Sequence, residues 1–396
     1  SAIGYYFHKN SEAAFYGDVI LKSPENTIYA DSMRYNTDKE IAYFITKTTI
    51  IDKDSNIIVT NSGYYDTKRE KAFLGNNATI KKGDAKVSAQ TIDYDKKSKI
   101  AIAEGNVVYQ DSSERTTILS NYIYSNEEKA LVKAYKDPLM ISVSEDEKDT
   151  LYLSADTLFS YKILNTDSAK LKDTIENNDS IKIVKAWHHT KMIQGKMSAI
   201  ADSMFYSEAD SIFKLYTNPI LWMDSTQISG DSIYLYNKNK GIERIDIFNN
   251  SFIIRLQDAE VYNQIKGKFI QAYIYDKKIN LVHVDGNAES IYFIKEKDAY
   301  NGANKSVSGF IKVYFKDGDV HRIKLTGAPE AEFTPMKKIN LSTFRLDNFQ
   351  WNGSLQPKSK YDVIRDKKQY EKYVEGLPIK KVEISSEPKP QKDPQK

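Results

Sequence analysis

The feature of this sequence that most restricts its fold is a short unit that recurs along most of the chain. Each unit begins with an apolar strand that carries a small residue, usually followed by Asp, and then further apolar or aromatic positions. A charged turn, a second strand and a Gly, Asn or Pro follow. A spacing of roughly 30–45 residues per unit is typical of stacked supersecondary repeats. The copies are residues 29–36, 154–159, 200–206 and 229–235, with weaker ones at 88–94 and 270–275.

The composition agrees with a nearly all-β chain. The 396 residues include 28 Tyr and 16 Phe but only 10 Pro and 17 Gly, and aromatic and β-branched residues favour pleated, half-buried strands. Polar turn clusters punctuate the chain at short intervals, for example at residues 95–99 and 237–241. Because no unit is long enough to bury its own apolar face, we expect neighbouring units to stack into one cooperative array.

Alignment of the copies gives three apolar columns, and the third lies three residues after the second. A step of three moves a side chain to the opposite face of a flat strand. Either the outer face of the array is partly buried, or the strands bend or bulge near Asp31, Asp156, Asp202 and Asp231. We favour the bend, since it lets a strand turn the corner of a tube or trough. For the Asp residues themselves, turn hydrogen bonds are favoured over metal or catalytic roles.

The pattern divides the chain into five parts. We expect β repeats over residues 1–163, an irregular insertion over 164–195, further β repeats over 196–340, a capping segment with a short helix over 341–384, and a disordered tail over 385–396. The aromatic residues Phe344, Phe349 and Trp351, with Leu346, are predicted to cap the last repeat. The helix is predicted over residues 365–376, with Tyr370, Tyr373, Val374 and Leu377 on one side.

The two ends of an open array are strand edges that must be capped or paired. The chain begins within an apolar-aromatic stretch, residues 2–7, with no visible signal peptide, so we expect a mature or trimmed start with an N-terminal edge ready for pairing. Removal of residues 341–396 is expected to expose the other edge and to promote oligomers.

The titratable residues favour no catalytic or metal chemistry. The chain has no Cys, and its 57 Lys and Arg against 54 Asp and Glu give a net charge of +3, which argues against a dedicated nucleic-acid binder. No phosphate loop, GxSxG elbow or HExxH motif is present. The only His pair, His188 and His189, is a poor chelate because adjacent strand residues point to opposite faces. We expect no enzyme activity, no metal and no cofactor.

Several motifs together resemble those of the OstA/LptA family, in particular its long, multi-repeat OstA-like members. The unit pairs a Tyr/Ser-Ala-Asp-Ser/Thr strand with a Gly-Asn/Asp-Val return strand. The resemblance covers about residues 10–360. It includes residues 218–222 with 227–233, residues 263–268, residues 284–292, and residues 350–353 with 357–360.

The resemblance implies an elongated antiparallel β-jelly roll with a V-shaped cross-section, sometimes called a taco. It also implies a periplasmic protein of a Gram-negative bacterium that carries lipopolysaccharide, with the lipid A acyl chains inside and the sugar and phosphate groups at the opening. Protomers and the jelly-roll domains of an inner-membrane exporter and an outer-membrane translocon would join end to end by strand pairing. The inward columns then predict lipid-lining residues, namely Ile28, Ala30, Met33, Val87, Ile92, Val107, Leu153, Leu158, Met204, Ile228, Ile233 and Ile274.

Two other classes of function compete with a lipid conduit. A structural or adhesive β-solenoid would have a closed core packed to a density of about 0.74, whereas a conduit would have a long apolar groove. A polysaccharide-processing enzyme on a β-helix would need a carboxylate cluster on one exposed face, and the sequence singles out none. The volume of the interior therefore separates the first two hypotheses.

Overall fold

In the computed structural model, residues 1–144, 149–164, 180–238, 241–296, 299–316 and 319–376 are described. They form 29 β-strands that belong to one hydrogen-bonded sheet system, followed by two short helices. The prediction of an elongated antiparallel β-jelly roll with a short C-terminal helical extension is confirmed.

The strands are short in the first part of the chain and long near its end. The first sixteen are β1 Ile3–Phe7, β2 Glu12–Lys22, β3 Asn26–Asn36, β4 Ile41–Phe44, β5 Thr48–Asp52, β6 Ile57–Thr60, β7 Ser62–Asp66, β8 Lys71–Gly75, β9 Ala78–Lys82, β10 Ala85–Ala89, β11 Thr91–Asp95, β12 Ile100–Asp111, β13 Thr116–Asn126, β14 Leu131–Tyr135, β15 Leu139–Val143 and β16 Thr150–Ser154. The others are β17 Thr157–Leu164, β18 Ser180–Gln194, β19 Met197–Ser207, β20 Ile212–Tyr216, β21 Ile220–Met223, β22 Thr226–Ser229, β23 Ser232–Lys238, β24 Gly241–Asp258, β25 Val261–Tyr275, β26 Lys278–Glu296, β27 Ala299–Lys316, β28 Asp319–Thr326 and β29 Glu330–Pro335.

The strand pairing forms two walls that share their long strands. We call wall A the ladder that contains β1, β4, β7, β8, β11, β14, β17, β20, β23 and β28. Wall B contains β5, β6, β9, β10, β15, β16, β21, β22 and β29. Each long strand pairs in wall A along one half and in wall B along the other. For example, β3 pairs with β4 through residues 33–36 and with β5 through residues 26–30.

The two walls meet along a line that we call the spine, where the long strands bend. In every second long strand the bend is a pair of residues with positive φ, such as Gly105 and Asn106 at 75° and 48°, or His188 and His189 at 61° and 50°. The register with the next strand shifts at the same positions, as expected for a β-bulge. Gly and Asn suit these positions because they tolerate the left-handed region.

The spine confirms the bends predicted near the four Asp residues. The backbone N–H of Asp156 donates to the carbonyl oxygens of Trp187 and His188 at 3.1 and 2.9 Å. Asp231 donates in the same way to Phe248 and Asn249 at 3.0 and 3.1 Å. Strand β3 changes its partner across residue 31, and β19 changes its partner across residue 202. The carbonyl oxygens at the bulge of one strand thus accept hydrogen bonds from a backbone N–H at the bend of the neighbouring strand.

The inward side chains of both walls form one continuous apolar core. It includes Ile28 from wall B and Met33 and Phe44 from wall A, and it extends along the array to Ile311 and Val313. Because residues of the two walls belong to one cluster, the walls face each other and are held together by packing along the spine.

The chain after β29 runs back over the outer face of wall B. Leu346 packs against outward residues of β24 and β26, including Phe252 and Phe293. Farther along, helix α1 (Lys360–Val363) and helix α2 (Lys367–Glu375) cover outward residues of β13, β15 and β18. The residues of this second contact are Leu119, Leu139, Ile141, Ile193, Val363, Ile364 and Tyr370. The part of wall B from β13 to β27 is therefore packed on both faces.

Side-chain hydrogen bonds fasten this C-terminal segment near the spine. The Gln369 amide donates to the carbonyl oxygens of Val107 and Ser120 at 3.2 and 2.8 Å. Arg365 donates to an Asp156 carboxylate oxygen at 2.6 Å. Arg365 also donates to the His189 carbonyl oxygen at 2.8 Å. The bonds to Val107, Ser120 and His189 satisfy backbone acceptors where the strands bend and leave regular pairing.

The C-terminal segment differs from the prediction in its position. It does not cap the last repeat, because its aromatic residues lie on the face of wall B, while β28 and β29 keep mostly exposed side chains. The predicted helix is present over Lys367–Glu375, with Tyr370 buried, but Val374 is 43% exposed. Leu377 and the predicted tail 385–396 lie outside the described residues.

The prediction of an irregular insertion over residues 164–195 is wrong for residues 180–194. Residues 180–194 of the 164–195 segment form the regular strand β18, which pairs with β17 and β19, and residues 165–179 lie outside the described residues.

The alternative prediction, that the outer face of the array is partly buried, is also correct for wall B. Both physical explanations of the three-residue step therefore apply in different places.

A glycine in wall A offers a test of the backbone geometry. Gly63 has φ of 137°, and a Cβ there would lie 2.0 Å from the Phe73 carbonyl oxygen. Gly63→Ala is expected to lower the free energy of unfolding by about 3 kcal/mol or more, since both strain and a backbone clash result. Gly83→Ala is the control, because φ is 53° and no atom lies within 4 Å, so only about 1 kcal/mol of strain is expected. Equal urea midpoints for the two variants would contradict the assigned geometry.

Removal of the C-terminal segment tests its role as a cover of wall B. A chain that ends at residue 340 loses the partners of Leu119, Ile141 and Phe252 and is expected to be less stable by on the order of 5 kcal/mol. It is also expected to bind an apolar dye and to associate through the exposed face. A chain that ends at residue 376 keeps the cover and serves as the control. The same urea midpoint and dye signal in both chains would show that the segment does not protect wall B.

Candidate functional site

Away from the spine, the space between the walls opens into two cavities. The larger of these two, which we call the N cavity, has a volume of about 560 Å³ and is lined by residues of β9 to β14, β17 and β18. Both walls contribute apolar side chains to it, because period-two alternation points every second residue inward. Its apolar lining includes Ile80, Val87, Ile92, Tyr94, Tyr109 and Ile118.

Charged side chains surround the N cavity. Glu114 bridges Lys162 and Lys182 at 2.7 and 3.1 Å, and Lys82 is paired with Glu127. Lys99 also lines the cavity, and no carboxylate partner for its ammonium is found among the described residues. The cavity therefore combines an apolar interior with a rim that contains four lysines.

The pKa values show how the surroundings tune these groups. Burial raises the pKa of the Glu114 carboxyl, but hydrogen bonds and charge from Lys162 and Lys182 outweigh it, so the pKa lies below its ordinary value. The hydrogen bond from Glu114 raises the pKa of Lys162. Burial raises the pKa of Tyr94 and of Tyr109 to about 12. At neutral pH the two phenols are thus uncharged and Lys162 is cationic.

The second cavity, which we call the C cavity, lies near the other end of the array and has a volume of about 360 Å³. Its lining includes Ile253 and Ile265 from wall B and Ile279, Val320 and Ile323 from wall A. The charged residues Asp224, Arg255, Lys277 and Lys278 lie among its lining residues. The N and C cavities therefore share the same chemistry, an apolar pocket with cationic side chains.

All twelve predicted lining residues lie on the inner side of the walls, but most lie close to the spine. Ten of them belong to the buried core, and Val87 and Ile274 are half-buried against it. Val87 and Ile92 line the N cavity. The other ten are absent from the linings of both cavities, and residues such as Leu153 and Ile228 are fully buried.

The sequence reasoning missed the residues that line the cavities farther from the spine. Tyr94 lies two residues after Ile92, and Tyr109 lies two residues after Val107. The two-residue alternation of inward side chains is the signal that could have found them. It has to be continued along each strand, from the predicted columns toward the strand ends.

The His pair belongs to the spine and not to the cavities. Nδ1 of His188 lies 3.1 Å from Asp202, and Nδ1 of His189 lies 2.8 Å from Asp156. The two rings therefore have different carboxylate partners. Within the described part of the chain, no group of three or more His, Asp or Glu side chains is arranged to hold a metal.

Comparison with known families agrees with this architecture. A family model described as LptA/(LptD N-terminal domain) LPS transport protein matches residues 86–242, and a model described as OstA-like protein matches residues 1–90. The chain is an OstA/LptA-like protein. The two matches together cover β1 to the start of β24 and include the entire lining of the N cavity.

One solved structure similar to this OstA/LptA-like chain is LptH from Pseudomonas aeruginosa. It is described as the LptA homologous periplasmic component of the lipopolysaccharide transport device. The match has 16% identity and a TM-score of 0.24, and it covers 31% of this chain and 74% of LptH. Comparison with individual curated proteins gave no significant match. Among the helices that the structure describes, none is long and apolar enough to cross a membrane.

The Glu114 bridge gives a pH-dependent prediction. Its lowered pKa means that the bridge contributes stability above the ordinary carboxyl pKa and that this contribution is lost as the pH falls through the folded-state value. Glu114→Gln is expected to lower the free energy of unfolding by about 1 kcal/mol at neutral pH, with the difference from the unmodified chain disappearing between about pH 5 and pH 2. Urea titrations across this range measure it. A difference that stays constant down to the lowest pH would contradict the assignment.

Proposed function

We propose that this chain binds lipopolysaccharide without enzymatic chemistry and carries it through the periplasm of a Gram-negative bacterium. The observation that supports this proposal best is the pair of apolar cavities between the walls, each with cationic side chains. Together they match an amphiphile that has several acyl chains and an anionic head. The similarity of residues 86–242 to a family model of lipopolysaccharide transport proteins supports the same conclusion.

Burial of the acyl chains supplies the energetic reason for such a cavity. Each methylene removed from water contributes about 0.8 kcal/mol, so a chain of about fourteen carbons costs on the order of 10 kcal/mol to expose during transfer. The volumes of the two cavities, about 560 and 360 Å³, lie within the range of about 300–1,000 Å³ typical of ligand sites. We propose that acyl chains enter between Tyr94, Tyr109 and Ile118 in the N cavity.

The rim lysines supply the contacts for the head group. Charge-assisted hydrogen bonds from ammonium groups to phosphate oxygens are stronger than neutral ones. Among the described residues, no carboxylate pairs with Lys99 to compete with a phosphate, and Lys162 and Lys182 share the single carboxylate of Glu114. We propose that these three lysines bind the phosphate groups of lipid A.

The strand edges at both ends fit a bridge made of several jelly-roll units. At one end, every side chain of β1 is exposed, and residues 19–22 of β2 pair in wall B with β3 alone. At the other end, β28 and β29 each pair only with β27. Unpaired edges of this kind accept a strand from another chain. We propose that they join Lpt-type domains of an exporter and a translocon, or further copies of this chain.

A closed structural scaffold is the second candidate, and one observation favours it. Along the spine, side chains such as Leu153, Ile228 and Ile233 are fully buried, so this part of the interior is filled by the protein itself. The cavities lie beyond that packed strip, toward the strand ends. If the chain is a conduit, lipid therefore occupies the cavities and does not reach the positions beside the spine.

Photo-crosslinking at paired positions tests this function. A crosslinker at Val87 or Ile323 points into a cavity. The adjacent residue of the same strand, Lys86 or Lys324 respectively, is exposed on the opposite face. In cells, we expect lipopolysaccharide adducts at Val87 and Ile323, at least tenfold above those at Lys86 and Lys324 on denaturing gels.

The positions beside the spine serve as a second control. Crosslinkers at Leu153 and Ile228 are expected to give no lipid adducts, because the protein itself fills the space there. Equal labelling at the inward and outward members of each pair, or none at any position, would favour the scaffold.

A further inference from the structure

The outer face of wall A carries a row of side chains that the inner groove does not use. Across seven neighbouring strands, from β13 to β23, the directly paired outward residues alternate between aromatic rings and lysines. We call this row the aromatic–lysine ladder, and it consists of Tyr124, Lys133, Phe159, Lys185, Phe205, Lys214 and Tyr234. Their sequence neighbours, such as Leu158 and Met204, are buried in the core, which places the ladder on the opposite face.

The ladder is held together by contacts between ammonium groups and rings. Lys133 Nζ lies 4.8 Å from the centre of the Phe159 ring, and Lys185 Nζ lies 5.7 Å from that of Phe205. Lys214 Nζ lies 5.4 Å from the Phe205 ring and 5.8 Å from the Tyr234 ring. These distances lie within the range of cation–π contacts. The aromatic rings therefore hold the lysine side chains in place, with the lysine charges at the surface.

This part of wall A contains no acidic residue. The segments 120–126, 131–135, 157–164, 180–187, 203–207, 212–216 and 232–238 include no Asp or Glu, although the chain contains 54 of them. Carboxylates resume on either side in the strands next to this region, at Glu104 in β12 and at Glu243 and Asp246 in β24. Lys214 is paired with Asp210 in a turn at 2.8 Å. Neither Lys133 nor Lys185 has a carboxylate partner among the described residues.

The two walls also differ in what covers them. The C-terminal segment covers the outer face of wall B, and in the described structure it makes no such contact with the ladder. Rings therefore stay at the surface beside the lysines. The Trp187 ring contacts that of Phe159 at a tilted angle of 59°, with a centroid distance of 4.6 Å, and Trp187 is 45% exposed.

We propose that this face of wall A docks on the anionic phospholipid surface of a membrane. Lysines without carboxylate partners complement phosphate head groups. Tyr and Trp rings with a polar tip suit the boundary between head groups and acyl chains. Seven strands at about 4.8 Å span roughly 30 Å, so the face is broad enough to contact several lipids at once.

Vesicle flotation with the full chain tests the proposal. We expect the protein to float with vesicles of phosphatidylcholine and phosphatidylglycerol, to bind vesicles of phosphatidylcholine alone weakly, and to dissociate as salt is added. The variant K133Q/K185Q is expected to bind the anionic vesicles about 25-fold more weakly, since each lysine near the surface contributes about fivefold. The control variant K337Q/K338Q removes the same charge from exposed lysines in another part of the chain and is expected to bind as the unmodified protein does.

The proposal would be overturned by no binding to anionic vesicles, by equal binding to both vesicle types, or by equal affinity of K133Q/K185Q and K337Q/K338Q. Binding of soluble polyglutamate without binding to vesicles would indicate an acidic protein partner and would also overturn it. Melting temperatures of the two variants check that both are folded. Crosslinking of lipopolysaccharide at Val87 is expected to be unchanged in K133Q/K185Q. The proposal of a membrane contact and the proposal of an inner lipid groove can therefore be rejected independently of each other.

Discussion

The architecture depends on the backbone hydrogen bonds at the spine. A strand that bends without a partner would leave unpaired backbone groups inside the protein, and each such group is costly. Here the carbonyl oxygens of a two-residue bulge, such as those of Trp187 and His188, accept from the backbone N–H at the bend of the neighbouring strand, Asp156. Because this arrangement recurs along the array, each long strand contributes to both walls. The walls are thereby held together on one side, and the apolar space between them follows from this constraint.

The walls have different surroundings, and this difference matters for the proposed function. Wall B is packed on its inner face by the core and on its outer face by the C-terminal segment, which Gln369 and Arg365 fasten near the spine. Among the residues that the structure describes, wall A is packed on its inner face, and its outer face carries the aromatic–lysine ladder. Local stability follows the number of buried contacts, so we expect wall A to be the wall that moves when acyl chains enter the cavities.

Much of the fold was predictable from the sequence, because repeat spacing, turn clusters and small-residue columns are local signals. They identified the all-β array and the bends near Asp31, Asp156, Asp202 and Asp231. The position of the C-terminal segment was not predictable, since residues such as Leu346 and Tyr370 pack against strands far away in sequence. The same limitation affected the site. Columns found beside the recurring Ala-Asp pairs select the packed strip along the spine. Extending the period of two along each strand predicts which other side chains face inward, but no local pattern encodes how far apart the walls lie and therefore where the cavities open.

Native mass spectrometry of the protein purified from its own envelope under mild conditions tests the central claim most directly. If the walls enclose cavities for acyl chains, the chain is expected to retain a lipid of lipopolysaccharide mass, and a bulky substitution in the N cavity, Val87→Trp, is expected to reduce the retained fraction several-fold. The matched substitution Lys86→Trp, on the opposite face of the same strand, is expected to leave it unchanged. A folded chain that carries no lipid, or equal retention in the two variants, would contradict the account.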